Sequence, residues 1–234
     1  MQRVIMITGA SSGYGEAIAR AFQKEGDIVI LAARTEERLI AACERIGTNH
    51  YIAMDVTAPD DWNKAYEYID SRFGRIDVLI NNAGGGVAIK ELTEQSIKEI
   101  DNAILLNLNS TIYGCRKFAP MMKAQRAGTI INVSSVCARH CWPAWSVYAA
   151  AKAGVLNFSK SLYTEMRPYQ VRVTCMIPAA AKTGFQKAAG MEEVTNRLGT
   201  EDVATMMVAI ANLPERAVVE EMTVWGIDQE VNPM

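Results

Sequence analysis

"RVIMITGASSGYGEAIARAFQKEG", residues 3–26, decides the fold. Its first six residues are a short run rich in β-branched side chains, which reads as a buried strand. The later part reads as a helix closed by Gly26. Between them stand Gly9, Gly13 and Gly15. Glycine allows a tight turn and lets a ligand come close to the backbone. The start of the following helix offers unpaired N–H groups and the positive end of its dipole, a setting that suits a pyrophosphate. Such a turn also serves merely to pack a helix on a strand. The strand–turn–helix order favours dinucleotide binding over that alternative. The spacing, G-x-x-x-G-x-G, is one residue longer in its first gap than the usual dinucleotide fingerprint.

The alternation continues along the chain. Strands are predicted at 27–33, 50–56, 75–84 with its loop, 128–135 and 170–178, with an edge strand in "VVEEMTVWG". Helices are predicted between them: one that Thr35 caps and Gly47 ends, one over 59–73 with Pro59 in its first turn, a long region at about 101–126, and others at 146–167 and 200–212. The strands lack period-2 alternation, so both their faces are buried, as in a parallel sheet covered by helices. The expected fold is α/β: a doubly wound, Rossmann-type parallel sheet of about seven strands with helices on both faces, forming a single domain over residues 1–234.

Bulk properties narrow the function. Half of the 234 residues are hydrophobic, enough for a sizeable core. With 24 basic and 26 acidic side chains, the net charge of -2 makes no electrostatic case for nucleic acid or an anionic membrane. No apolar run approaches the ~20 residues of a membrane span, and the N-terminal run is too short for a signal peptide. The expectation is a cytoplasmic protein. Five irregularly spaced cysteines do not resemble a disulfide framework. Cys137, His140 and Cys141 lie close in sequence, but they are too few for a zinc site, and no metal is expected.

At the end of the second strand, "LAARTEERL" puts Ala33 where an acid would favour NAD, and Arg34 next to it. A guanidinium there pairs well with a 2′-phosphate. NADP(H) is therefore preferred, with NAD(H) the alternative.

Four stretches occur in order: "TGASSGYG" (8–15), "NNAG" (81–84), "INVSS" (131–135) and "YAAAK" (148–152). Together they resemble the short-chain dehydrogenase/reductase family in its branch of about 250 residues. "YAAAKAGVLNFSKSL" is similar to the bacterial ketoacyl carrier-protein reductases and related carbonyl reductases. The resemblance implies a catalytic set of Asn107, Ser135, Tyr148 and Lys152. It implies cofactor contacts from Gly9, Ser11, Ser12, Gly13, Tyr14, Gly15, Arg34, Asp55, Val56, Asn81, Ala83, Gly84, Pro178 and Thr183, together with Tyr148 and Lys152. It also implies a homotetramer or a homodimer. Two features depart from the family pattern: Pro178 is followed by Ala179 rather than glycine, and the chain ends in "EEMTVWGIDQEVNPM".

Reducing a carbonyl needs a hydride on carbon and a proton on oxygen. The cofactor supplies the hydride. The resemblance makes Tyr148 the expected proton donor, and Lys152, four residues on along one helix face, is expected to lower its pKa and reach the ribose. Ser135 would hold the substrate oxygen, and Asn107 would hold a water in a proton relay. Taken singly, each residue also fits an ordinary packing role. The substrate is expected to be a small or medium carbonyl or alcohol. Trp142 and Trp145 would give an apolar wall, Arg139 or His140 would meet an anionic substrate group unless they are ordinary loop charges, and a lid at about 184–197 would turn Phe185 and Met191 inward. The competing function is a nucleotide-sensing regulator on the same fold, which needs only the glycine turn.

Overall fold

The computed structural model describes residues 2–85, 87–181 and 198–229. Among these residues seven strands form one sheet: β1 (Val4–Thr8), β2 (Ile28–Ala33), β3 (His50–Ala53), β4 (Val78–Asn81), β5 (Gly128–Val133), β6 (Val171–Pro178) and β7 (Glu221–Val224). Their order is β3-β2-β1-β4-β5-β6-β7, and every pairing is parallel. β1 and β4 are buried along their whole length. That explains their unbroken apolar sequence: a central parallel strand has no solvent face to alternate with.

Helices cover both faces. On one side α1 (Gly13–Lys24), α2 (Glu36–Ile46) and α7 (Thr200–Ala211) pack around Ile5, Ile7, Phe22 and Leu31. On the other, α3 (Pro59–Phe73), α5 (Ser110–Gln125) and α6 (Ser146–Met166) pack around Met6, Trp62, Phe118 and Ile130. The short α4 (Ile97–Ile104) precedes α5 and opens with a capping box, in which Ser96 Oγ accepts from the Glu99 amide and Glu99 accepts from the Ser96 amide.

Three sequence expectations are adjusted. The third strand stops at Ala53 rather than Val56, because Asp55 folds the chain into a turn: its Oδ1 accepts from the Thr57 amide at 2.9 Å and the Thr57 hydroxyl at 2.7 Å. Thr35 occupies the N-cap position of α2, but its side chain caps no amide. The long helical region contains a π-helical insertion, Leu105–Asn109, between α4 and α5. Such an extra residue in the helix re-aims the side chains around it.

Candidate active site

The strand order reverses between β1 and β4, so a crevice opens at their carboxyl ends. Gly9 leaves β1 with φ of 68°, a left-handed conformation. Gly15 lies directly over it. A Cβ at residue 15 would stand 2.3 Å from the Gly9 carbonyl oxygen and 2.8 Å from Asn82 Nδ2. The predicted turn is thus closed to any side chain at this point. Ser12, the N-cap of α1, makes no capping hydrogen bond, which leaves the first-turn amides of that helix available to an anion.

The loop after β4 is laced to this turn. Thr8 Oγ1 accepts from the amides of Asn82 and Ala83, each at 3.0 Å, and Asn82 Nδ2 donates to the Thr8 carbonyl at 2.8 Å. Sequence reading missed Asn82. It selected Asn81 from the same pair, yet Asn81 is 3% exposed, and its amide donates to Asn132 Oδ1 at 2.8 Å. The Asn81 side chain therefore braces β4 against β5 beneath the crevice. Only the alternation of side chains along a strand separates the two asparagines.

Arg34, directly after β2, is exposed and has no hydrogen bond or ion pair among the described residues. Asp55 holds the turn described above, and Val56 is buried with its carbonyl accepting from Trp62 Nε1 at 2.9 Å. The Pro178–Ala179 turn forms without the family's glycine. The Ala179 amide donates to the Val224 carbonyl at 2.9 Å, and the Ala179 carbonyl accepts from the Tyr14 hydroxyl at 3.1 Å. Tyr14 thereby ties the glycine turn to the end of β6.

Ser135, Tyr148, Lys152, Asn107 and Gly84 come together at the carboxyl ends of β4 and β5. Ser135 has an extended backbone, and its Oγ accepts from the Cys137 amide at 3.2 Å. Burial pushes the Tyr148 phenol well above its ordinary pKa, while a hydrogen bond with Ser135 pulls it down. One turn on, Lys152 Nζ donates to the Val133 carbonyl at 3.0 Å and lies 5.7 Å from the Tyr148 ring centre. The neighbouring serine, Ser134, instead donates to the Lys152 carbonyl at 2.7 Å and so positions α6. Asn107 is fully buried at the π insertion: Nδ2 donates to the Gly85 and Ala103 carbonyls at 3.0 Å, and Oδ1 accepts from the Gly85 amide at 2.8 Å. A Cβ at Gly84 would sit 3.0 Å from Asn107 Oδ1 and 3.2 Å from Lys152 Nζ, so the bare backbone keeps both groups clear.

The expected lowering of the phenol by Lys152 does not figure among the influences on it: burial is the largest, and Nζ is turned to the Val133 carbonyl. Lys152 itself is pushed down to about 8 by burial. Its ammonium therefore destabilises the fold below about pH 8, and this penalty fades as pH rises from there toward the ordinary lysine value. Lys152→Met is expected to stabilise the protein at pH 7 by about 2 kcal/mol, with the gain shrinking toward zero near pH 10, while turnover is lost. Urea unfolding of both proteins across that pH range checks the sign. A wild-type protein that is the more stable at pH 7 would contradict it.

The substrate candidates divide. Arg139 forms an ion pair with Glu221 at the start of β7, and Lys160 pairs with the same carboxylate at 3.1 Å. The expected substrate cation is thus already committed. His140 packs its ring against Trp142 and Trp225, with centroids 6.0 and 5.4 Å away. Trp225 was missed because only the sheet order brings β7 beside this loop. Thr183, Phe185, Met191 and the lid at 184–197 lie outside the described residues.

Known proteins are similar to this chain in sequence and in fold. A family model described as short chain dehydrogenase matches residues 3–194. Serine 3-dehydrogenase from Agrobacterium fabrum is 30% identical over 239 residues, covering 98% of this chain and 96% of that protein. An alcohol dehydrogenase from the archaeon Thermococcus sibiricus, solved with 5-hydroxy-NADP, superposes with a TM-score of 0.91 at 26% identity, covering 99% of this chain and all of that one. A closed form of serine dehydrogenase complexed with NADP+ superposes at 0.93 with 27% identity, covering 99% and 98% of the two chains.

Proposed function

The chain belongs to the short-chain dehydrogenase family, and from that premise we propose that it transfers a hydride between NADP(H) and a small or medium carbonyl or alcohol. The observation that carries this reading is the convergence of Ser135, Tyr148, Lys152 and Asn107 beside a glycine turn that no side chain can enter. The glycine turn and the α1 amides would hold the pyrophosphate, Arg34 the 2′-phosphate, and Lys152 the ribose nearest the reaction. When bound, the nicotinamide supplies or receives the hydride.

This chain's residues do the rest. Ser135 donates to the substrate oxygen and holds it at the Tyr148 hydroxyl. Tyr148 gives that oxygen its proton in reduction and takes it back in oxidation. Lys152 places positive charge beside a phenolate whose formation burial opposes. Asn107, locked to Gly85, stands beside Lys152 where a water could carry a proton onward. A spectrophotometric assay of NADPH and NADH oxidation over a carbonyl panel tests the reading; cofactor binding without turnover on any substrate would replace it with the sensor reading.

Arg34→Ala is expected to weaken NADPH binding about tenfold and leave NADH binding unchanged, since only the former carries a 2′-phosphate. Calorimetric titration of the two cofactors reads this directly, and an equal loss for both would reassign Arg34.

The same reading takes the protein as a cytoplasmic homotetramer or homodimer. Among the described residues no helix is long and apolar enough to cross a membrane. A groove between α5 and α6, lined by Ile112, Ala119, Pro120 and Phe158, offers an apolar face for a second copy. Light scattering of the purified protein counts the subunits.

A further inference from the structure

We infer that the site takes a neutral, aryl-bearing carbonyl in preference to a substrate that carries a carboxylate. This rests on the hydride-transfer reading above and narrows its substrate class. Two loops wall the reactive tyrosine: the one after β4 and the one joining Ser135 to α6. Their apolar side chains gather around Tyr148. Val87, Cys137 and Val147 are buried there, with Ile89, Trp142 and Trp145 packed against them. The Trp145 ring meets the Tyr148 ring edge-on at 5.5 Å. Trp142 carries the surface onward to Trp225 and His140.

The decisive observation concerns charge. Among the described residues, the loop after β4 contains one lysine or arginine before α4, Lys90, and it pairs with Glu99 at 2.8 Å. The loop from Ser135 to α6 contains one, Arg139, and it pairs with Glu221. Lys152 is turned to the Val133 carbonyl. Lys90 and Arg139 are therefore already neutralised, and Lys152 is held at a carbonyl. A carboxylate brought against Tyr148 would lose its water and gain no ion-pair partner from these two loops, an arrangement that costs far more than burying an aryl ring. The rings present offer edge and face contacts to an aryl group instead. In reduction, the carbonyl π bond opens, carbon takes a hydride from NADPH and oxygen takes the Tyr148 proton; the products are the alcohol and NADP+.

The test uses a matched pair, ethyl benzoylformate and benzoylformate, which present the same ketone with and without a free carboxylate. With wild-type protein and NADPH, kcat/KM is expected to favour the ester at least tenfold. Binding is read separately by quenching of tryptophan fluorescence in Tyr148→Phe, which should follow the same preference. Trp142→Ala is expected to raise KM for the ester about tenfold and change the acid less than twofold. An acid turned over as well as the ester, or a Trp142→Ala that weakens both equally, overturns the inference while leaving the hydride-transfer reading in place. No turnover of either compound, nor of any other carbonyl, with NADPH still bound, removes the parent reading and the inference together.

Discussion

Tyr148→Phe will lower kcat about a thousandfold while the Kd for NADPH stays within about twofold of wild type. The substitution removes one oxygen and leaves the ring, which is almost fully buried against Trp145 and Val147. Packing, and therefore stability, should barely change. What disappears is the group that hydrogen-bonds with Ser135 and exchanges a proton with the substrate. A positioned acid or base contributes typically about 10²–10⁴-fold, and no other described side chain beside Ser135 is set to replace it. The pH profile supplies a second readout. Burial raises the phenol and lowers Lys152 to about 8, so the two are pushed apart. Oxidation needs Tyr148 without its proton, and burial holds that proton on, so activity of the wild-type enzyme in that direction should still be climbing at about pH 10. Near-normal kcat in Tyr148→Phe would end the mechanism.

Gly15→Ala will raise the Kd for NADPH at least tenfold and cost about 2 kcal/mol of stability. The added methyl would fall 2.3 Å from the Gly9 carbonyl oxygen and 2.8 Å from the Ala10 Cα, both backbone atoms that cannot turn aside as a side chain can. Either α1 lifts from β1 or the turn opens. Both displace the amides that would hold the pyrophosphate, and both strain the Asn82 amide that laces the two loops. Gly26→Ala is the control. It has φ of 84° but nothing within 4 Å of the new methyl, so it should cost about 1 kcal/mol through backbone strain and leave NADPH binding intact. Equal effects of the two substitutions on binding would show that the close contact at residue 15 is not what shapes the site.

The local sequence carried a good deal of this. Buried strands announce themselves by unbroken apolar runs, as in Val4–Ile7, because a central parallel strand has two covered faces. The glycine turn is legible because only glycine fits where a Cβ would meet backbone. Tyr148 and Lys152 are legible because a helix places residues four apart on one face. Each of these depends on residues within a turn or two of one another. The π insertion at Asn107 was not legible, since nothing in "ILLNLN" marks where a helix takes an extra residue.

Other features depend on contacts that no local pattern encodes. Arg139 looked like a free cation beside the catalytic serine, and it is neutralised by Glu221, 82 residues later. Trp225 joins His140 because β7 pairs with β6 at the sheet edge. Asn81 and Asn82, adjacent in the chain, face opposite ways, and one braces the sheet while the other ties the crevice. The sequence by itself determined the layered α/β fold, the glycine turn and the tyrosine–lysine pair, because short-range sterics and helix periodicity act within a segment. Tertiary structure alone decided which charges are spent and which rings wall the tyrosine, because strand order brings together side chains that the chain keeps far apart.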